Sequence, residues 1–249
     1  MFLIPPSSYT IRTTKKKGRG VFAAQDIKPG SVIGDYIGVI VRPEDEDEKR
    51  DGLYTMSGGD RFDILASPKQ PGIHLINHGC AQNCVMYPYR GHTLFIALRH
   101  IFAGEELILN YMLGEADEKH IPCSFHACHC GSKICTGSMH DSERDYEAWE
   151  KLTRHAAKGW LSKMPGKYGE KFMPLDRYPV TVDIDHEKIG QFNIFGSEKK
   201  SPVSLKDTML PTLAELRKKI RDTGRQLTFP KLHIRIYGVQ NDRLIAERI

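Results

Sequence analysis

Four of the six cysteines in this 249-residue chain, Cys123, Cys128, Cys130 and Cys135, fall within 13 positions, and Cys80 and Cys84 lie not far upstream. A secreted disulfide scaffold is short, cysteine-dense throughout and preceded by a signal segment. This chain has none of these features, so its clustered thiols favour zinc. Tetrahedral zinc takes four nitrogen or sulfur ligands. The Cys-x-Cys-x4-Cys run of Cys128, Cys130 and Cys135 offers three at close range. Candidates for the fourth are Cys84, Cys123, His126 and His129.

Three further groups carry chemically useful side chains or backbone. Asn77 and His78 set an amide beside an imidazole. Tyr111 ends the apolar run 107–111, where a lone tyrosine would ordinarily pack. Lys17-Gly18-Arg19-Gly20 flanks one basic residue with two glycines, and glycine lets backbone approach a ligand closely or turn through positive φ. Glu105 and Glu106 have the look of a paired acid and base, but their place in Ala103-Gly104-Glu105-Glu106 marks a charged turn before a strand.

Taken in order, Lys17 to Ala23, Leu75-Ile76-Asn77-His78-Gly79-Cys80-Ala81-Gln82-Asn83-Cys84, Ala103 to Tyr111 and Cys128-His129-Cys130-Gly131 through Cys135 closely resemble the SET-domain protein lysine methyltransferases with their post-SET zinc segment. The resemblance covers residues 9–140. It implies that the turn at Gly18, Arg19 and Gly20 cradles S-adenosylmethionine. It likewise implies that Asn77 and His78 bind that cofactor within a pseudoknot, and that Tyr111 is the catalytic tyrosine. Tyr36 matches a second position near the pocket. Cys84 becomes the fourth zinc ligand beside Cys128, Cys130 and Cys135, leaving Cys123 as a spare thiol and Cys80 as a small buried residue. Two positions depart from the family. His74 stands where an arginine often approaches the cofactor carboxylate, and Leu109 where an aromatic residue often limits methyl number.

The implied reaction is methyl transfer to the ε-amine of a lysine in a protein substrate, of histone-like, ribosomal or other basic type. A lysine amine is protonated near neutral pH, its reference pKa being ~10.4, and only the neutral form attacks. A desolvating channel and a nearby positive charge both disfavour the ammonium. In-line positioning supplies much of the remainder, so no dedicated strong base is required.

These residues need a rigid β scaffold. Runs 9–14, 32–41, 94–101 and 107–111 read as strands, with Gly34 and Gly38 marking bends or close backbone contacts. Residues 43–59 are acidic, then glycine-rich, and read as a long exposed loop. After the cysteines the pattern changes. Ser142 is placed to cap a helix carrying Tyr146, Trp149, Leu152 and Ala156 on one face. Strands at 180–184 and 191–195, a helix at 212–223 and strands at 232–239 and 243–249 then make a ββαββ pattern. The expected architecture is mainly β. A SET-like catalytic domain spans 9–113, a post-SET zinc segment 114–140, a helix and linker 141–179, and a small α+β C-terminal module 180–249.

Hydrophobic residues at 40% and charged residues at 27% are ordinary for a soluble globular chain and exclude a mainly disordered or fibrous one. No apolar stretch approaches the ~18 residues that span a bilayer. Met1 to Ile4 meets Pro5 and Pro6 without a basic flank, so no secretory signal is read and an intracellular place, cytoplasm or nucleus, is expected. Residues 1–145 carry 16 Lys/Arg against 18 Asp/Glu, net −2, and residues 146–249 carry 20 against 13, net +7. The basic second half raises a nucleic-acid or ribosomal partner, but a solvated basic surface is the preferred reading, and no paired zinc-finger histidine spacing or RNA-binding aromatic motif supports direct nucleic-acid binding. A catalytically inactive SET-like zinc module that binds a peptide is the other reading. The presence of Tyr111, Asn77 and His78 together argues against it.

Overall fold

The computed structural model describes residues 1–45, 54–58, 61–113, 126–131, 135–140, 149 and 164–182, and the backbone of strands between 227 and 248. Strands β1 (Tyr9–Thr13) and β2 (Arg19–Ala23) form an antiparallel hairpin. The β-branched run after Gly30 splits into β3 (Val32–Asp35) and β4 (Val39–Val41). Gly38 lies in the break: a Cβ there would sit 2.2 Å from the Leu65 carbonyl oxygen, so only glycine permits this approach.

The acidic-to-glycine stretch is not loop throughout. Thr55–Ser57 forms β5, which pairs antiparallel with β6 (Asp63–Leu65), and β4 completes that sheet in the order β4-β6-β5. A third sheet runs β3-β9-β8, from β8 (Cys84–Tyr89) and β9 (His92–Ala97). Pro88 is tolerated in β8 because that strand lies at the sheet edge, where a missing N–H costs no ladder bond. The two-residue strands β7 (Asn77–His78) and β10 (Ile108–Leu109) pair in parallel. Segments about thirty residues apart thus lie side by side.

One core cluster holds Val21, Ile33, Tyr36, Ile40, Phe62, Ile76, Phe95, Leu107 and Leu109, all buried. A second gathers Val32, Val85, Leu94, Ile96 and Trp149 on the other face of the β3-β9-β8 sheet. Each such aliphatic or aromatic side chain contributes about 1.5–3 kcal/mol by leaving water. Trp149 lies in a helical turn, and its indole donates to the Met86 carbonyl at 2.8 Å. The other residues of the expected helix face lie outside the described residues.

Residues 164–182 wrap irregularly over the β-domain. Phe172 is buried and stacks on His92 at 4.5 Å, and the Phe172 amide donates to the Gly38 carbonyl at 2.9 Å. The Tyr178 hydroxyl donates to Asp35 Oδ2 at 2.6 Å, and His92 Nδ1 meets the same oxygen at 2.7 Å. The run expected as a strand at 180–184 begins as an edge against Gly30 to Val32, through the Val32 amide to the Val180 carbonyl and the Val182 amide to the Gly30 carbonyl. Farther on, β11 (Leu227–Phe229), β12 (Ile234–Gln240) and β13 (Arg243–Arg248) form an antiparallel sheet, with a bulge between Ile236 and Gly238. Strand β11 was not foreseen; the expected strand 191–195 and helix 212–223 lie outside the described residues.

Candidate functional site

The hairpin turn between β1 and β2 is tightly closed. The Thr14 amide donates to the Gly18 carbonyl at 2.6 Å, the Lys17 amide donates to Thr14 Oγ1 at 2.9 Å, and Gly18 has φ +69°. The turn lies against Asn77: a Cβ on Gly20 would fall 2.7 Å from Asn77 Nδ2 and 2.9 Å from Glu106 Oε1. The Asn77 amide donates to the Arg19 carbonyl at 3.1 Å, while the Arg19 guanidinium reaches the Pro68 carbonyl. The structure therefore brings Arg19 and Gly20 against Asn77, while Gly18 sits in the same turn with open space at its Cβ position.

Parallel pairing places Leu109 beside His78, so the chain leaving β10 carries Tyr111 against that imidazole. The rings meet edge to face at 5.4 Å, and the Tyr111 amide donates to His78 Nδ1 at 3.2 Å. An amide can only donate, so Nδ1 is unprotonated in this bond. Burial holds the imidazole neutral, its pKa lowered to about 4. The Tyr111 hydroxyl donates to the Ile76 carbonyl at 3.1 Å, and desolvation pushes its phenol above the usual range. Tyr36 is buried in the adjoining core, its hydroxyl donating to the Tyr54 carbonyl at 2.5 Å.

Several residues that fix this junction lie within the matching segments but had no role of their own in the sequence reading. Asn83, wholly buried, accepts from the Ile108 amide through Oδ1 at 2.7 Å and donates through Nδ2 to the Glu106 carbonyl at 2.9 Å. Gln82 Oε1 accepts from the Asn110 amide at 3.0 Å, and Asn110 Oδ1 from the Met112 amide at 3.1 Å. These bonds hold the turn that carries Tyr111. Buried amides are the one signal available in sequence, and in Ala81-Gln82-Asn83 nothing told them from surface residues. The glutamates are not solvated turn charges either. Glu105 is buried, paired with Arg99 at 2.8 Å and accepting from the Phe102 amide at 3.1 Å. Glu106 pairs with Lys17 at 2.7 Å and accepts from Asn77 Nδ2 at 2.9 Å.

The thiols converge, with one correction. Ligand atoms of Cys80, Cys128, Cys130 and Cys135 all lie within 4.8 Å of one another, and the Cys80 and Cys128 sulfurs are 3.7 Å apart. A tetrahedron with Zn–S bonds of about 2.3 Å requires sulfurs ~3.8 Å apart, so the donor set and spacing fit zinc. The expected fourth ligand, Cys84, is not in this set. As the first residue of β8 it points into the core, wholly buried, with its sulfur 3.4 Å from Asn83 Oδ1. Cys80, in the loop before that strand, takes its place. The Cys128 amide donates to the Gly137 carbonyl at 2.9 Å, closing a knuckle beside Gly79, whose Cβ would lie 3.3 Å from that of Cys130. His126 is bonded to His140 at 3.1 Å, His129 is exposed, and Cys123 lies outside the described residues.

Residues 18–112 match the family model described as the SET domain. The chain is 33% identical over 129 residues to the histone-lysine N-methyltransferase trithorax of Drosophila virilis, an alignment covering 47% of this chain and 3% of that one. It is 31% identical over 131 residues to histone-lysine N-methyltransferase 2D of Homo sapiens, covering 48% of this chain and 2% of that one. The chain thus spans only a few per cent of the length of these relatives. A solved structure described under the product specificity of histone lysine methyltransferases aligns with TM-score 0.38 and 21% identity, over 41% of this chain and 50% of the other. A β-rich scaffold, a parallel junction joining the Asn-His pair to the tyrosine strand, and the family match define the class: residues 18–112 are a SET domain.

Proposed function

We propose that this chain is an S-adenosylmethionine-dependent protein-lysine N-methyltransferase with a zinc-bearing post-SET segment. The observation that carries the reading is the parallel junction of β7 and β10. It gathers Asn77, His78 and Tyr111, and Arg19 and Gly20 of the glycine turn lie against Asn77. The residues fit the cofactor on two counts. At Gly18 the place of a Cβ is open, with no atom within 4 Å, so a ligand can come close to the backbone of the turn there. His74, three residues before Asn77, keeps a buried Nε2 with no hydrogen-bond partner among the described residues, a polar atom available to a ligand.

Gly18, Arg19 and Gly20 bind through backbone, and Asn77 and His78 hold the opposite side. When bound, S-adenosylmethionine supplies a methyl group made electrophilic by its sulfonium. The Tyr111 hydroxyl, fixed by the Ile76 carbonyl, orients the incoming amine. Tyr36, Phe62 and Leu109, buried in the cluster against which Tyr111 packs, keep water from that amine and favour its neutral form. Cys80, Cys128, Cys130 and Cys135 hold zinc, which ties the post-SET segment over Gly79 and the Asn77-His78 strand. The substrate is a basic protein with an accessible lysine, and the place of action is intracellular. Among the described residues no helix is long and apolar enough to cross a membrane.

Incubation with isotope-labelled S-adenosylmethionine and a proteome extract, followed by mass spectrometry, is expected to find labelled methyl on lysine side chains. Cofactor binding without any labelled lysine would instead support an inactive scaffold.

A further inference from the structure

We propose that Glu106 is a positioning residue, locking the Asn77 side-chain amide in the one orientation that presents its oxygen to the cofactor site, so that the site selects a ligand with a protonated amine there. The proposal deepens the cofactor reading above and rests on it.

The groups facing Asn77 dictate its orientation. On one side of its amide stand the Arg19 carbonyl oxygen and the Glu106 carboxylate, at 3.1 and 2.9 Å. Both can only accept. The atom facing them must therefore be Nδ2, and its two hydrogens are consumed by these two acceptors. The amide oxygen is left pointing away from them. It has no hydrogen-bond partner among the described residues and is not sealed from solvent, so it is open to a donor. A glutamine at position 106 would lift this restriction, because its own amide can donate as well as accept.

Glu106 holds this station because it is itself held. Its side chain is 12% exposed, and a carboxylate so little solvated needs a counter-charge. Lys17 supplies one through both carboxylate oxygens, at 2.8 and 2.7 Å, from a position 89 residues away in sequence. Gly20 makes room for the arrangement, since any Cβ there would strike both Asn77 Nδ2 and Glu106 Oε1. The result is a fixed acceptor oxygen, and because Lys17 already matches the neighbouring carboxylate, what that oxygen selects is an N–H donor, held most strongly when the donor is charged. A donor-free group at the same place would leave the oxygen unpaired.

The test compares two ligands and two proteins by calorimetric titration. The ligands are S-adenosylhomocysteine and its analogue lacking the α-amino group. The wild-type chain is expected to prefer the aminated ligand roughly tenfold or more, the scale of one hydrogen bond to a charged group. In Glu106→Gln that preference is expected to fall towards parity, while affinity for the amine-free analogue changes little. A folded Glu106→Gln that keeps the full preference, or that loses both ligands equally, overturns the proposal. Equal binding of both ligands by the wild type also overturns it and leaves the cofactor reading standing. No binding of either ligand by the wild type removes the cofactor reading itself. Should Glu106→Gln fail to fold, side-chain amide NMR of the wild type decides. Both Asn77 Nδ2 protons are expected to exchange with solvent more slowly than those of a free asparagine amide, and free-amide exchange overturns the proposal.

Discussion

The backbone amide of Tyr111 donates to Nδ1 of His78 at 3.2 Å, although the two residues stand 33 positions apart. The bond needs the parallel pairing of β7 with β10 and fixes three things together: the tautomer of the imidazole, the edge-on approach of the phenol ring, and the direction of the hydroxyl towards the Ile76 carbonyl. Tyr111 is thereby oriented before any substrate arrives, so removing its hydroxyl separates orientation from packing.

Tyr111→Phe keeps the ring against His78 and loses only the bond to Ile76. Turnover is expected to fall roughly 100-fold or more, the cost of an amine no longer held in line. Affinity for S-adenosylhomocysteine is expected to change little, and the fold to lose about 1 kcal/mol for one hydrogen bond. Single-turnover kinetics, calorimetric titration and thermal unfolding read the three quantities. Collapse of cofactor affinity in a folded variant would make Tyr111 a binding residue instead.

The exchange of Cys84 for Cys80 gives opposite expectations for two single substitutions. Cys80→Ser removes a sulfur from the four-thiol cluster and is expected to weaken zinc by at least about 100-fold, beyond the 10–100-fold typical of changes one shell further out. Cys84→Ser buries a hydroxyl in the core, and is expected to retain one zinc per chain while lowering stability by about 1–3 kcal/mol. Metal analysis after dialysis against a chelator of graded strength distinguishes them. Loss of zinc from Cys84→Ser alone would restore the ligand set expected from the sequence.

That exchange shows where sequence reading stopped. The motif around Asn77 and the three late cysteines were legible because residue type and spacing lie within a few positions. The choice between Cys80 and Cys84 was not. It depends on where β8 begins, and the alternation of a strand sends its first side chain to one face or the other. Glu106 was read as a local turn charge because both its partners, Lys17 and Asn77, are distant in sequence and reach it only through the folded topology. Strand β5 was hidden for a similar reason. Thr55-Met56-Ser57 has little strand character of its own and is ordered by pairing on β6. The glycines at 34 and 38 were legible as close contacts because sterics alone demand them.

Tyr178 ties the segment 164–182 to the β-domain through its bond to Asp35, and this sets an alkaline limit on stability. Desolvation first, and then the bond to Asp35, raise its phenol pKa above the ordinary value of 10.0. Above pH ~10 an unfolded chain would release this proton while the folded one retains it. The unfolded state then binds fewer protons, and stability falls with pH. The contribution is fully present below the unfolded pKa and is lost as pH rises through the folded one. Tyr111, raised chiefly by burial, acts in the same direction. Denaturant unfolding between pH 8 and 11 is expected to show this decline, with a shallower slope in Tyr178→Phe. Equal slopes in the two proteins would remove Tyr178 from the account.

The number of methyl groups added follows from the hydroxyls near the amine. A second tyrosine hydroxyl beside the nitrogen, in addition to that of Tyr111, would bind it or hold a water there, and so favour a single methyl. Leu109 pairs with His78, is buried and has no hydroxyl to offer. Tyr36 has one, but it is engaged by the Tyr54 carbonyl at 2.5 Å. Under the proposed activity the amine is therefore free to rotate between turnovers, and di- or trimethyl-lysine is expected at exhaustive turnover. Leu109→Tyr is expected to shift the product towards monomethyl-lysine at a cost of about 1–3 kcal/mol in stability, because the ring must be fitted into a filled core. Intact-mass spectrometry of the methylated peptide, beside a thermal melt of the variant, reads both effects. Monomethyl-lysine alone from the wild-type chain would show that another group crowds the nitrogen and would sink the prediction.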